Sequence, residues 1–232
     1  MPASRSTIAV SAILFDAGGT LIHIDGARLC RAAGVPFDAA SFLAAETAAV
    51  GWIRRWVLEN PASRDADRLP LFLDVLLETL GIPAGPERRR AAASIAAEHA
   101  GRNLWSRAAE DAVETLARLD GEGYRLGVVS NADGRVRRLL EEAGLAPFLE
   151  VVVDSAEAGV EKPDPRVFRA AVERLGLSAG ACAYVGDIYE IDVVGADAAG
   201  LVPVLIGDCP APESVRRVRR LSELPALFSR RP

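Results

Sequence analysis

Lysine, cysteine and histidine are scarce in this 232-residue chain, which contains one lysine, three cysteines and two histidines. Cys30, Cys182 and Cys209 lie too far apart in sequence to form a paired metal-binding or redox motif, and we expect a reducing, cytoplasmic environment. No apolar stretch reaches the ~18 residues that a membrane-spanning helix needs, so no membrane partner is predicted. Because the only lysine is Lys162, any role for a side-chain ammonium group falls on that position.

An excess of positive charge is also missing, since the formal net charge is −5. This balance argues against a general nucleic-acid binder. Half of the residues are hydrophobic, which is enough for one substantial core, or for a core with a smaller inserted domain.

The start of the chain looks like a short signal peptide, because Arg5 precedes an apolar run at Ile8–Phe15. The run ends at Asp16 instead of at a small-residue cleavage site. We therefore interpret it as a first β-strand.

Short apolar runs that each lead into a turn alternate with helix-like segments in the second half of the chain. The runs are 8–15, 124–129, 150–153, 181–185 and 202–206. Strands alternating with amphipathic helices indicate βαβ units, so the predicted fold class is α/β, with a Rossmann-like parallel sheet. Asp164 and Pro165 are typical of a helix start, and Gly176 and Gly200 of helix ends.

About a hundred residues of different texture separate the first run from the second. Segments 38–59, 67–80 and 86–102 are rich in alanine and leucine and are predicted to be helices. We therefore expect a catalytic core made of residues 1–22 and 104–232, with an inserted helical cap at 23–103. The arginine-rich tail "VRRVRRLSELPALF" is interpreted as an edge strand followed by a helix.

Polar residues stand where the predicted strands end, and in open parallel sheets those ends meet at one edge. They are Asp16, Ser130, Asn131, Lys162, Asp187 and Asp192. Several carboxylates packed together need a cation, and oxygen ligands suit Mg²⁺. A metal beside a serine and a lysine fits a phosphoryl group. Asp16 is then placed to attack phosphorus and form an aspartyl-phosphate.

The stretches "FDAGGTL", "VVSN", "EKPDPRVF" and "VGDIYEID" resemble the four motifs of the haloacid dehalogenase-like superfamily, in the phosphatase-like branch with a helical cap inserted after the first motif. The resemblance implies that Asp16 is the nucleophile, that Ser130 and Lys162 bind and stabilise the phosphoryl group, and that Asn131 contributes to substrate binding. It implies a metal site for Mg²⁺ built from Asp16, the Gly18 backbone carbonyl, Asp187 and Asp192, the last as a ligand or as support.

Gly18 is a departure from the family pattern, because related phosphatases carry a second aspartate there to protonate the leaving oxygen. Its absence favours substrates with good leaving groups over alkyl phosphates. His23 is a candidate substitute acid, although a hinge hydrogen bond without catalytic part is the favoured interpretation. Tyr189 and Glu190 are weaker candidates.

Two related enzyme classes also lack that acid. Haloacid dehalogenases lack the Gly-Asp pair of the fourth motif, which this chain retains as Gly186-Asp187. Phosphonoacetaldehyde hydrolases use a lysine of the cap, and this chain has none there. The prediction is a Mg²⁺-dependent phosphohydrolase for a small phosphorylated metabolite, active as a monomer or homodimer. C–halogen hydrolysis and a catalytically impaired phospholigand-binding protein remain the alternatives.

Overall fold

The computed structural model of the protein describes residues 7–60 and 62–230, and its internal contacts divide the chain into two units. The first unit is formed by the chain up to His23 and again from Ala108 onward, and the second is Ile24–Arg107. The sequence predicts crossings between core and cap near residues 23 and 104. Among the described residues, no helix combines the length and the apolar character that crossing a bilayer requires.

A parallel β-sheet of six strands forms the centre of the first unit. The strands of the described chain are β1 (Ile8–Val10), β2 (Ala12–Phe15), β3 (Ile22–Ile24), β4 (Trp105–Ala108), β5 (Arg125–Ser130), β6 (Val151–Asp154), β7 (Cys182–Gly186), β8 (Val202–Ile206), β9 (Arg217–Val218) and β10 (Phe228–Arg230). The six strands lie in the order β6–β5–β2–β7–β8–β9, and every neighbouring pair is parallel. The α/β prediction with a Rossmann-like parallel sheet is confirmed.

The position of β2 in this sheet determines where a site can form. The chain continues from β2 to β5 on one side and reaches β7 on the other, so the strand order reverses next to β2. Phe15, the last residue of β2, is in register with Val128 of β5 and Val185 of β7. Ligands of open α/β sheets bind at such a reversal, beyond the carboxyl ends of the strands. Asp16 is the first residue beyond that end.

Helices cover the sheet of the first unit. They are α5 (Ala112–Gly121), α6 (Val136–Glu142), α7 (Ser155–Ala158), α8 (Pro165–Leu175), α9 (Val194–Ala199) and α10 (Leu224–Leu227). All four residues of β2 are buried, as expected of a strand covered on both faces. The start and end of α8 agree with the sequence: Asp164 accepts the N–H of Arg166 at 2.9 Å, and Gly176 has φ of 63°.

The apolar run 8–15 is two strands instead of the predicted one. Ile8–Val10 pairs with β10 in a separate two-stranded parallel sheet, whereas Ala12–Phe15 joins the main sheet. Ser11 lies between them and is partly exposed. Both strands are apolar, so the hydrophobic pattern does not show that the pairing partner changes between them. For this reason the sequence predicts a single strand. The tail prediction is confirmed, with β9 at the sheet edge and α10 after it.

The second unit is helical. Its helices are α1 (Gly26–Ala33), α2 (Ala39–Glu59), α3 (Asp65–Thr79) and α4 (Pro86–Gly101). The last three lie where the sequence placed them, but α1 was not predicted. Arg28 ties α1 to the end of α4, because its guanidinium donates to the Glu98 carboxylate at 2.7 Å and to the carbonyl oxygens of Arg102 and Asn103.

Candidate active site

Asp16 follows β2 directly and lies at the carboxyl edge of the first unit's sheet. Its backbone N–H donates to the carbonyl of Val185 at 2.8 Å, which fixes it beside β7. Its side chain is buried, and Oδ1 lies 2.6 Å from the Nζ atom of Lys162. Burial raises the pKa of Asp16 to about 6, against the opposing attraction of Lys162. The carboxylate is therefore costly to ionise and held close to the one lysine.

Lys162 is the centre of the polar cluster, and only 2% of the residue is exposed. Its ammonium group donates to Asp16, to Asp192 Oδ1 at 2.7 Å and to the Tyr184 hydroxyl at 3.0 Å. Burial alone would lower the pKa of Lys162, but attraction to Asp16 and Asp192 outweighs it and the pKa lies above its usual value. The lysine is a fixed positive charge at this edge of the sheet.

Asn131 positions the backbone of Lys162. The Asn131 amide Nδ2 donates to the Lys162 carbonyl at 3.0 Å, and its Oδ1 accepts the Lys162 N–H at 2.7 Å. This pair of bonds connects the end of β5 to the segment before α8. The predicted substrate-binding residue thus has its side chain bonded to the lysine's main chain.

The fourth motif brings the carboxylates of Asp187 and Asp192 to the cluster, and the backbone of Gly186 passes close to Asp192. After β7 the chain forms a π-helical turn at Tyr189–Val193. Asp192, which is buried, accepts the N–H of Ile188 through Oδ2 at 2.9 Å. Gly186 must lack a side chain, because a Cβ atom there would overlap the Asp192 carboxylate.

In the first motif, the backbone at Gly19 passes close to the Asp187 carboxylate in a similar way. Its φ of 79° lies in the left-handed region, and a Cβ atom would overlap the carboxylate of Asp187. Two independent reasons therefore require glycine at this position. Gly18 differs, since its φ is not positive; it forms a backbone bridge with Ile22 and is partly exposed.

The acidic side chains of the cluster are suited to a cation. Asp16, Asp187 and Asp192 each place one oxygen within 4.8 Å of the others. Burial, followed by repulsion from Asp192 and Asp16, raises the pKa of Asp187 well above its usual value. Its Oδ1 atom is buried without a hydrogen-bond partner among the described residues. An orphaned carboxylate oxygen facing excess negative charge is what a hard cation would satisfy, so these residues fit Mg²⁺.

The other predicted site residues have these positions. Ser130 ends β5, is buried and is in register with Asp154 of β6. His23 is the exposed middle residue of β3. Glu190 is buried in the π-helical turn, and Tyr189 is partly exposed there.

Tyr184 is the functional candidate that the sequence did not reveal. It lies on β7 with its hydroxyl between Lys162 and the Val129 carbonyl, which accepts its proton at 2.8 Å. In sequence it belongs to an apolar strand and counts as a core residue. The one available signal is that a buried tyrosine hydroxyl needs a polar partner.

The helical unit contains a cavity of about 370 Å³ of a different character. Its walls are mainly apolar, with Leu73, Ile95 and Leu104 among them, and its polar ring atoms come from His99 and Trp105. Among the described residues that line it, none supplies a carboxylate for a metal or a lysine or arginine side chain for a phosphoryl group.

The carboxylates and the lysine at the reversal of strand order define a hydrolase-type site in an α/β fold. The chain belongs to the haloacid dehalogenase-like hydrolases, whose family model matches residues 10–200. This confirms the family resemblance of the four motifs.

Similar proteins include both phosphatases and dehalogenases. A glyceraldehyde 3-phosphate phosphatase of Methanopyrus kandleri is 37% identical over 139 residues, covering 59% of this chain and 58% of the relative. The chain spans about half the length of the curated relatives that it matches first, between 39% and 58%.

Two solved structures share the fold over nearly the whole chain. A structure titled as the putative HAD-hydrolase YfnB from Bacillus subtilis, bound to magnesium, has a TM-score of 0.71 at 20% identity, covering 95% of this chain and 99% of that one. A dehalogenase in an intermediate complex has a TM-score of 0.69 at 23% identity, covering 96% and 99%. Likeness at this level of identity shows the fold alone, so the activity must be argued from the side chains of the site.

Proposed function

We propose that this protein is a Mg²⁺-dependent phosphohydrolase that acts on a small phosphorylated metabolite through an aspartyl-phosphate on Asp16. The observation that carries the proposal is the orphaned Oδ1 atom of Asp187 beside a buried Asp16–Lys162–Asp192 cluster. A phosphatase needs a cation there, whereas a dehalogenase does not. The named phosphatase from Methanopyrus kandleri supports the same activity.

The metal would be held by Asp16, Asp187 and the backbone carbonyl of Gly18. Asp192 uses both carboxylate oxygens in hydrogen bonds to Lys162 and Ile188, so we assign it mainly to supporting the site, with spare lone pairs for the ion. When bound, Mg²⁺ would neutralise charge on the phosphoryl oxygens and hold the substrate in line with Asp16.

The proposed reaction has two steps. An Asp16 oxygen attacks phosphorus, the bond from phosphorus to the leaving oxygen breaks, and that oxygen departs with the electron pair. Water then attacks the phosphorus of the aspartyl-phosphate and gives its proton to the solvent, the bond from phosphorus to the Asp16 oxygen breaks, and inorganic phosphate leaves with the Asp16 carboxylate restored. Lys162 and the Ser130 hydroxyl stabilise the phosphoryl oxygens in both steps. Asn131 contributes by holding the lysine.

Leaving groups of low basicity are the expected substrates, because Gly18 offers no acid to protonate the departing oxygen. General acid catalysis contributes about 10²–10⁴ in rate, or roughly 3–5 kcal/mol. Acyl phosphates, aryl phosphates and phosphoanhydrides need little protonation. We therefore propose that such compounds are cleaved faster than sugar phosphates.

Two rival functions make different predictions. C–halogen hydrolysis requires no metal and leaves the retained Asp187 without a purpose. A phospholigand-binding protein would hold phosphate and Mg²⁺ without turnover. The buried, fully bonded Lys162 beside Asp16 favours an enzyme, since holding such a costly arrangement serves chemistry more directly than binding.

Phosphate release by wild type and Asp16→Asn tests the proposal, with Mg²⁺ or with EDTA. We expect turnover of acetyl phosphate and an aryl phosphate with Mg²⁺, and a loss of at least ~10³-fold in Asp16→Asn because the nucleophile is gone. Asp197→Asn is the matched control, because this aspartate is exposed on α9 of the same unit. Halide release from a haloacid, or phosphate binding with no turnover, would favour a rival.

A further inference from the structure

We propose that Tyr184 is a positioning residue for the reaction: its hydroxyl accepts the third N–H of Lys162 and fixes the direction in which the ammonium group faces the phosphoryl group. The inference rests on the proposed function for its catalytic consequence. The contact itself does not depend on that function.

The hydrogen-bond inventory of Lys162 is complete. An ammonium group has three donors and no acceptor. The three acceptors are Asp16 at 2.6 Å, Asp192 at 2.7 Å and the Tyr184 hydroxyl at 3.0 Å. Without Tyr184, one buried N–H would lose its partner.

The hydroxyl of Tyr184 has one proton, and the distances decide where it goes. The Val129 carbonyl lies 2.8 Å away, whereas Asp192 Oδ1 lies 3.4 Å away. We assign the proton to the shorter bond, so the hydroxyl donates to the carbonyl of Val129. Val129 is the second-to-last residue of β5. A lone pair of the hydroxyl then faces Lys162. Lysine therefore donates to tyrosine, and tyrosine donates to the backbone of β5.

Rigid packing keeps this hydroxyl in place. Tyr184 is 1% exposed and lies on β7, in register with Leu14 of the neighbouring β2. The ring of Phe168 packs edge-on against it, with centroids 4.8 Å apart. A strand inside the sheet with a packed ring positions a group more precisely than a loop does.

A fixed neutral acceptor has a specific use in this reaction. Of the three acceptors around Lys162, Asp16 is the one that becomes phosphorylated, so its bond to the lysine must change during turnover. Asp192 and Tyr184 keep their bonds. With Asp192 and Tyr184 as constant acceptors, the remaining N–H, which bonds Asp16, stays directed at the place where phosphorus is transferred, and the neutral phenol adds no further negative charge.

Tyr184→Phe removes the acceptor and keeps the ring. We expect kcat to fall by about 10- to 100-fold, as for loss of a hydrogen bond to a charged group, with KM changed by less than ~3-fold. Tyr124→Phe is the matched control, because Tyr124 is also buried in the first unit but precedes β5, at the opposite end from the site. Equal kcat values in Tyr184→Phe and wild type would overturn the proposal.

The single lysine allows a measurement that needs no turnover and no substrate. In protein labelled with ¹⁵N at the lysine side chain, the one ammonium signal belongs to Lys162. We expect slow exchange with water and a through-space contact to a tyrosine hydroxyl proton in wild type. Tyr184→Phe should shift the signal and speed its exchange by at least ~10-fold, while Tyr124→Phe leaves it unchanged.

The two readouts separate this inference from the proposed function. A wild type without phosphatase activity refutes the function, while the lysine signal still decides whether Tyr184 holds Lys162. If Tyr184→Phe does not fold, the wild-type spectrum decides alone. A rapidly exchanging ammonium without a tyrosine contact would overturn the inference.

Discussion

Gly18→Asp is expected to accelerate the hydrolysis of alkyl phosphates such as sugar phosphates by about 10²–10⁴-fold, with less than ~10-fold change for acetyl phosphate. The added carboxyl group would protonate the leaving oxygen, which matters only when that oxygen is strongly basic. The measurement is kcat/KM for both substrate classes in wild type and variant, with Mg²⁺ present.

The φ of Gly18 does not oppose this substitution. Gly18 has no positive φ and is partly exposed, whereas the adjacent Gly19 has φ of 79° and no space for a Cβ atom. Gly180→Asp is a matched control, because Gly180 is exposed, lies in the same unit and has open space where a Cβ atom would stand. It should leave both activities unchanged.

Equal wild-type rates on alkyl and acetyl phosphates would contradict the missing-acid account. Another group would then supply the proton, and His23→Ala would test the predicted substitute first, followed by Glu190→Gln. A loss confined to alkyl phosphates in His23→Ala would make His23 the acid. Loss on neither class would leave His23 with a hinge role.

Asp187→Asn is expected to stabilise the metal-free protein and to abolish its stabilisation by Mg²⁺. In EDTA the Asp187 Oδ1 atom is buried near Asp16 and Asp192 and has no hydrogen-bond partner among the described residues, so an amide relieves repulsion. In wild type, Mg²⁺ at about 100 times its Kd should add roughly 2.7 kcal/mol, or about 5–10 °C in Tm. Thermal unfolding with EDTA and with Mg²⁺ measures both effects.

The pH dependence of the stability of the metal-free protein is a further expected result of the buried carboxylates. Asp16 has its pKa raised from 3.8 to about 6 in the folded protein, so between these values the folded state binds more protons than the unfolded state. Metal-free stability must therefore fall as pH rises through this window, by up to about 3 kcal/mol. The raised pKa of Asp187 extends the fall to higher pH. Mg²⁺ should remove most of this loss.

Two outcomes would contradict the predictions for Asp187. Asp187→Asn less stable than wild type in EDTA would contradict the repulsion at Asp187. Stabilisation of the variant by Mg²⁺ to the same extent as wild type would show that Asp187 does not form the ion site. Asp197→Asn is the control here as well, since it changes the formal charge equally at an exposed position. It should leave the Mg²⁺ effect intact.

The sequence predicted the strand ends well because βαβ alternation makes topology almost unavoidable. Once β2, β5 and β7 are parallel neighbours, Asp16 and the residues after the other two strands must meet at one edge. The start and end of helix α8 were equally predictable from the sequence, because an N-cap aspartate and an αL glycine act locally. These features depend on short-range chemistry.

Features that depend on long-range pairing were missed. β1 and β2 form one apolar run, and only the distant β10 reveals that Ile8–Val10 belongs to another sheet. The role of Tyr184 was hidden for the same reason, because its partner Lys162 lies 22 residues earlier in the chain. The bonds of Asp192 to Lys162 and Ile188, on which its proposed supporting role rests, are likewise not visible in the sequence.

The most direct test of the central claim is to trap the phosphate on Asp16. Wild type and Asp16→Asn would be mixed with Mg²⁺ and acetyl phosphate, quenched in acid within the first turnover, digested and analysed by mass spectrometry. We expect phosphate on the wild-type peptide that contains Asp16, lost during a chase without substrate and absent from the variant. Phosphate release without any label on that peptide, or label on another residue, would contradict the proposed mechanism.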